Sequence, residues 1–246
     1  MTVPDVMAQG VLRVRGRSFG PGQRLIMATT GRAPGARGDR GLAWDLAPAM
    51  DRVHAAAGEG ADILDLGGPA GPGTELTVAE EIRRAVPFVA AVRAAYPGLV
   101  IGVGAWHHET ARELCAAGAD LLYDPEERLP GVAAEYGAAL VCGDADRAVS
   151  RGADPARVLI EAGPGLWPSP EAARRLEELV AAGWPVLVPV PGESLDAGRL
   201  AAAAVCAWLG ARVFRADRGT QTRRVLDMVS AIRGDRPPAR AVRGLA

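Results

Sequence analysis

The hydrophobic pattern of the chain consists of short apolar runs separated by longer stretches with helical character. The runs are nearly all apolar, which is typical of strands covered on both faces. Several of them follow a glycine, the residue that commonly ends a helix. They cover 25–29, 62–66, 99–103, 119–123, 138–142, 157–161, 185–190 and 211–215. Eight such units predict a (β/α)8 TIM barrel, with a doubly wound open sheet as the alternative.

Three smaller features complete the predicted organisation. Residues 12–14 and 17–19 flank Arg15-Gly16 and predict a short hairpin that closes the bottom of the barrel. Only about fourteen residues separate the fifth and sixth strands, so the fifth helix must be short. We expect residues 1–232 to form one domain, and the Pro- and Arg-rich residues 233–246 to form a flexible tail.

One predicted helix, over 199–209, lacks a polar face. It begins with Arg199, ends with Leu209, and is otherwise made of alanine and larger apolar residues. A helix on the surface of a soluble protein should have a polar side. We therefore expect a homodimer that forms through this helix. The alternative is a helix of small residues pressed deep between its neighbours.

Composition excludes several classes of protein. A net charge of −1 provides no field for nucleic acid or an anionic membrane, and the longest uncharged apolar run is too short for a bilayer. Three cysteines without paired spacing favour a reducing, cytoplasmic location over a disulfide framework or a zinc site. The chain contains neither Lys nor Asn, which excludes a Lys Schiff base or an Asn ligand.

Acidic residues lie close to several predicted strand ends, where parallel barrels build their sites. An acidic ring there could bind a divalent cation or a cationic ligand. The alternative is that these side chains bond to loop backbone or point into solvent. The members of the predicted ring are Asp65, Asp124, Glu161, Glu193 and Asp217.

A basic residue, Arg215, ends the last predicted strand. With Gly163-Pro164-Gly165 and Gly192 it could form a pocket for a small anion, because Arg binds such groups bidentately. The alternative is an ion pair of Arg215 with Glu161 or Asp217. His107 and His108 begin a predicted helix, and adjacent helical residues do not face one another, which argues against a shared metal.

The strand and helix over 60–87 resemble a known family. The stretch Gly60-Ala61-Asp62-Ile63-Leu64-Asp65-Leu66-Gly67-Gly68, followed by Glu80-Glu81 and Pro87, is similar to the motifs of the dihydropteroate synthases. The likeness spans nearly the whole chain. It implies a homodimer of barrels that binds a dihydropterin diphosphate and joins the pterin to p-aminobenzoate, helped by magnesium.

The chain departs from the family pattern at the positions that carry chemistry. The loop after Gly68 lacks the usual hydroxyl and guanidinium groups, and the third strand ends in Gly104-Ala105 instead of Asp-Thr. Glu193 replaces a Lys of the family. Arg215 and Asp124 are retained, and Glu161 keeps a carboxylate where the family has Asp.

These departures predict a dihydropteroate synthase-like barrel without synthase activity, which binds a ligand or a protein partner. The ligand would be a small anion or a pterin-like molecule, held by Arg215 and the carboxylates. We expect no cofactor, and magnesium only if the synthase chemistry is retained. The alternatives are an active synthase in folate biosynthesis and a barrel enzyme with new chemistry at the acidic ring.

Overall fold

Eight parallel strands close into a barrel, and a two-stranded antiparallel hairpin precedes them. The structure is a computed structural model that describes residues 10–30, 46–68, 76–163, 169–190, 197–217 and 219–236. The last strand pairs with the first, with Val213 opposite Leu25, so the sheet has no edge. The predicted barrel is confirmed, and the open-sheet alternative is wrong.

Every apolar run of the sequence overlaps one barrel strand. The hairpin consists of β1 (Leu12–Val14) and β2 (Arg17–Phe19). The barrel strands are β3 (Leu25–Thr29), β4 (Ile63–Asp65), β5 (Val100–Gly104), β6 (Leu121–Tyr123), β7 (Ala139–Cys142), β8 (Val158–Glu161), β9 (Val186–Val190) and β10 (Val213–Ala216).

A helix follows each barrel strand. The helices within the described ranges are α1 (Leu46–Gly58), α2 (Val78–Ala95), α3 (His108–Ala116), α4 (Pro130–Tyr136), α5 (Ala145–Ser150), α6 (Pro170–Ala181), α7 (Ala197–Leu209) and α8 (Gly219–Arg233). Thr77 and Glu80 form a capping box that fixes the start of α2. The short fifth helix is confirmed, because α5 has 6 residues and is followed by a single 3-10 turn.

The inside of the barrel is filled by stacked apolar layers. Alternation along each strand sends every second side chain inward, and alternate strands supply one layer. One layer comes from β3, β5, β7 and β9, and consists of Met27, Gly102, Val141 and Leu187. The layer below it, further from the carboxyl ends of the strands, comes from β4, β6, β8 and β10, and consists of Ile63, Leu121, Leu159 and Val213.

The hairpin covers the bottom of the barrel, as the sequence predicts. Leu12, Val14 and Phe19 are buried and belong to the same apolar cluster as the inner layers. Arg212, just before β10, donates hydrogen bonds to the carbonyl oxygens of Gly10, Phe19 and Gly20. Burial, followed by the neighbouring charge of Arg24, lowers the pKa of Arg212 to about 10. One buried side chain, just before the last strand, therefore holds the hairpin in place.

The C-terminal end of the described chain is held by ion pairs. Helix α8 continues to Arg233, the first residue of the predicted tail. Asp235 lies 3.3 Å from Nη2 of Arg24 and 3.2 Å from Nε of Arg233. Residues 237–246 lie outside the described residues, so the flexible tail stays a prediction. No helix among the described residues has both the length and the apolar character needed to cross a bilayer.

We predict that Arg212→Met lowers the free energy of unfolding by about 3 kcal/mol, because three carbonyl oxygens lose a charged donor. Chemical denaturation measures the loss. The matched control is Arg13→Met on the exposed side of β1, for which we expect a change of no more than about 0.5 kcal/mol. Equal effects of the two substitutions would contradict the anchoring role of Arg212.

Candidate functional site

Four polar side chains form the layer above the apolar ones, at the carboxyl ends of the strands. We call this group the top layer. Each member lies two residues beyond an inward-facing apolar residue of the same strand, and alternation therefore points it inward as well. The top layer consists of Asp65 of β4, Tyr123 of β6, Glu161 of β8 and Arg215 of β10.

An ion pair between Arg215 and Asp65 joins two strands of the top layer. Nε of Arg215 donates to Oδ2 of Asp65 at 2.6 Å. The other oxygen, Oδ1, accepts from the backbone N–H of Gly67 at 2.9 Å. The Asp65 carboxylate is 1 % exposed, and both of its oxygens have donors. The charge of Asp65 is the largest of the influences that raise the pKa of Arg215.

Tyr123 contacts both Glu161 and Arg215. Its hydroxyl donates to Oε2 of Glu161, and the guanidinium carbon of Arg215 lies 5.0 Å from the centre of its ring. Burial, followed by the charge of Glu161, raises the pKa of Tyr123. The phenol therefore remains protonated and acts as a donor to Glu161.

The structure brings together only part of the predicted acidic ring. Glu161 joins the top layer, but Asp124 is buried, and its Oδ2 accepts from the backbone N–H of Leu129 at 2.6 Å, just before α4. Asp124 thus follows the alternative of a bond to loop backbone. Asp217 is exposed, and Glu193 lies outside the described residues.

Arg215 makes an ion pair, but with a different partner from the two considered in the sequence. Asp65 takes its Nε. The two terminal nitrogens, Nη1 and Nη2, make no hydrogen bond to any residue that the structure describes, and the side chain is 29 % exposed. These two nitrogens are the groups that remain for the predicted anion. Gly165 and Gly192 lie outside the described residues.

The two adjacent histidines have separate partners. Nδ1 of His107 lies 2.8 Å from Oε2 of Glu81, and Nε2 of His108 lies 2.8 Å from the carbonyl oxygen of Arg128. Glu81 on α2 is buried and also accepts from the hydroxyl of Thr110 at 2.6 Å. The argument against a shared metal agrees with this geometry. Glu81 joins α2 to the start of α3, a role that the sequence did not reveal.

The oxygen ligands that the site offers do not fit magnesium. A hard cation needs several oxygen ligands with free lone pairs. Asp65 is bonded to Arg215 and Gly67, and Glu161 is bonded to Tyr123. No group of three potential metal ligands occurs among the described residues.

The backbone approaches itself closely beside the top layer. A Cβ atom placed on Gly68 would lie 3.0 Å from Cα of Gly104, and one on Gly104 would lie 3.3 Å from Cα of Gly68. Such contacts are tighter than ordinary packing permits. A carboxylate at position 104, where the resembling family has Asp, would require these two strand ends to move apart.

The comparisons with known proteins agree with this architecture. A sequence pattern described as "Pterin binding enzyme" matches residues 27–161. The inactive dihydropteroate synthase 2 of Mycobacterium tuberculosis is 38% identical over 285 residues, which covers 94% of this chain and 90% of the relative. The chain belongs to the dihydropteroate synthase family.

Solved structures of dihydropteroate synthase-like proteins share the fold. Rv1207 of Mycobacterium tuberculosis superposes with a TM-score of 0.73 at 37% identity, over 91% of this chain and 98% of that one. The Yersinia pestis dihydropteroate synthase, solved with a sulfonamide drug, superposes with a TM-score of 0.78 at 21% identity, over 92% and 100%. The second likeness supports the barrel fold alone.

Tyr123 is the site residue that sequence reasoning missed. Tyr123 and Asp124 are adjacent at a strand end, and the carboxylate of Asp124 is the more obvious candidate for a ligand-binding group. Alternation along the strand contains the missing signal, because it puts Tyr123 on the same side as the inward-facing Leu121.

We predict that the Tyr123 phenol ionises above the ordinary pKa of 10.0. Because the pKa of Tyr123 is raised in the folded state, its contribution to stability is complete at pH values below the ordinary pKa. That contribution is lost as the pH rises from the ordinary pKa through the raised one. A spectrophotometric titration of the three tyrosines follows the ionisation, and Tyr123→Phe should delete the last component to appear. Retention of that component in Tyr123→Phe would contradict the described environment.

Proposed function

We propose that this chain is a non-catalytic member of the dihydropteroate synthase family that acts by binding. One observation carries the proposal: the polar groups of the top layer are bonded to one another. Asp65, Tyr123, Glu161 and one nitrogen of Arg215 all have partners inside the protein. A substrate would have to separate these pairs before it could use them.

The energetic cost of that separation is large. Each buried polar group that loses its partner costs about 1–3 kcal/mol, and 1.4 kcal/mol corresponds to roughly a factor of ten in affinity. The chain has no Lys or Asn to replace the lost interactions. Gly104 also provides no carboxylate that could bind a pterin. These losses favour weak or absent binding of a dihydropterin diphosphate.

The name of the mycobacterial relative supports the same proposal, because that protein is called an inactive dihydropteroate synthase. Two enzymatic alternatives remain distinct from it. An active synthase would place Arg215 on the diphosphate and Glu161 on the pterin, and would require magnesium. New chemistry at the carboxylates would instead require Asp65 or Glu161 to exchange its present partner for a substrate.

We predict that the purified chain does not condense p-aminobenzoate with a dihydropterin diphosphate in the presence of magnesium. Isothermal titration with a dihydropterin diphosphate analogue and magnesium should show no heat of binding, because the recognition groups are internally paired. An active family member assayed in parallel is the control. Turnover, or micromolar binding, would contradict the proposal and favour an active synthase.

The ligand that the site favours is a small anion. Nη1 and Nη2 of Arg215 make no hydrogen bond to the described residues, the side chain is 29% exposed, and a guanidinium pairs well with phosphate or carboxylate. The anion would not have to displace Asp65, which is bonded to Nε. Thermal stabilisation by a divalent metal alone would instead favour new chemistry at the carboxylates.

A homodimer through α7 and α8 is the second part of the proposal. Six large hydrophobic side chains are exposed among the described residues, and four of them lie on these two adjacent helices. They are Val205 at 55%, Trp208 at 51%, Met228 at 62% and Ile232 at 66% exposure. On α7 the small residues Ala203, Cys206 and Ala207 are buried against the barrel. The helix thus has one apolar side that packs inward and a second that is exposed among the described residues, apart from the Arg233 guanidinium 5.6 Å from the centre of the Trp208 ring.

These four exposed side chains of α7 and α8, which we call the exposed stripe, are suited to contact with a second copy of the chain. Val205 and Trp208 are three residues apart and Met228 and Ile232 four apart, so each pair shares a helix face. Together they can form the apolar centre of an interface, which in a stable dimer buries about 800 Å² on each partner.

We predict that Trp208→Arg raises the dimer dissociation constant by about a hundredfold, since a buried aromatic anchor becomes a charge. Sedimentation velocity measures the change. The matched control is Tyr136→Arg on α4, another exposed large side chain far from the stripe in the barrel order. A dimer that survives Trp208→Arg would show that α7 is not its interface.

A reducing cytoplasmic location is also part of the proposal. Cys115, Cys142 and Cys206 are free and buried. Burial raises the pKa of each thiol to about 12, which keeps it unreactive. Unpaired buried thiols are typical of proteins that function in the cytoplasm.

A further inference from the structure

The ring of Tyr123 occupies the inside of the barrel mouth. Its side chain is partly buried and packs against the inner apolar cluster that includes Leu121 and Val213. It is the aromatic member of the top layer, and it stands at the strand ends where barrels of this type hold their ligands.

Three kinds of contact surround the ring. Glu161 accepts a hydrogen bond from the hydroxyl at the edge of the ring, and the guanidinium carbon of Arg215 lies over the ring face, 5.0 Å from its centre. The inner apolar cluster contacts the ring from below. A carboxylate at the edge, a cation over the face and an apolar floor are the features of a binding site for a planar aromatic molecule with an in-plane donor.

The frame of this site does not depend on Tyr123. Arg215 is held by Asp65, which is in turn fixed by the backbone of Gly67. Glu161 belongs to a different strand, β8. Gly102 and Gly104 on the neighbouring β5 add no side chain that could fill the space if the ring were removed. The binding features would therefore remain after the Tyr123 side chain is removed.

We propose that Tyr123 is a built-in occupant of the barrel site, a phenol that takes the place of a planar aromatic ligand and prevents one from binding. This inference rests on the proposed non-catalytic function and deepens it, because it names the residue that closes the site. It also gives the chemical class of molecule that the emptied site accepts: a flat ring with a hydroxyl or N–H donor in its plane.

The test replaces the side chain by a free molecule of the same shape. In Tyr123→Ala the ring and hydroxyl are missing, and phenol supplies both. Calorimetry should show phenol binding at least about tenfold more tightly to the variant than to the unaltered protein, and phenol should raise the Tm of the variant alone. Tyr136→Ala, which removes an exposed ring on α4, is the matched control and should not respond.

A comparison of phenol with toluene distinguishes binding through the hydrogen bond to Glu161 from simple filling of a cavity. Toluene has the size of phenol but no donor for Glu161. We expect Tyr123→Ala to bind phenol at least about tenfold more tightly than toluene, since a buried carboxylate without a donor is costly. Equal binding of the two would overturn the proposed recognition by Glu161.

The proposal can also be tested if the Tyr123→Ala variant does not fold without a ligand. If Tyr123→Ala is unfolded alone, saturating phenol should restore its near-ultraviolet circular dichroism, and Tyr123→Ser should behave in the same way. A folded variant that ignores phenol, or two variants that phenol does not restore, overturns the occupancy by Tyr123. The non-catalytic function would survive that result, whereas synthase turnover by the unaltered protein would remove the non-catalytic function whatever phenol does.

Discussion

A guanidinium inside the barrel requires a fixed negative partner, and the Asp65–Arg215 ion pair provides it. Strands β4 and β10 both neighbour β3, so the pair spans the strand at which the barrel closes. An arginine in such a place without a carboxylate would be strongly destabilising. With Asp65 in position, Arg215 can lie over Tyr123, and Tyr123 can bond to Glu161. The four side chains of the top layer are thus linked through this one contact.

The same contact explains how a barrel can keep its shape and lose its chemistry. Active sites commonly carry polar groups that are left unpaired until substrate arrives, and this incurs a cost in stability. In this chain Asp65, Tyr123, Glu161 and Nε of Arg215 are paired within the protein, and the close approach of Gly68 to Gly104 leaves little room for a side chain at either position. Satisfying the site internally makes the fold more stable and catalysis harder.

The fold could be predicted from the sequence because its signals are local and repeated. Eight apolar runs, the glycines before them and the short stretch between β7 and β8 are visible without any tertiary information. The site is harder to predict, because successive side chains at a strand end point to opposite sides of the sheet. Asp124 therefore entered the predicted ring, whereas Tyr123 and the pairing of Arg215 with Asp65 depend on which side chains face inward. Contacts between α2 and α3 through Glu81 had no local signal at all.

The anchoring of the hairpin by Arg212 has a consequence for the order of events during synthesis. The hairpin leaves the ribosome long before its anchor, because the Arg212 side chain that donates to the carbonyl oxygen of Gly10 lies 202 positions later. The hairpin therefore lacks this anchor until synthesis has passed Arg212. Closure of the barrel by β10 and anchoring of the hairpin by Arg212 both depend on the same segment. A nascent chain that stalls before this segment would therefore leave the open edge of the sheet and the apolar side of the hairpin exposed.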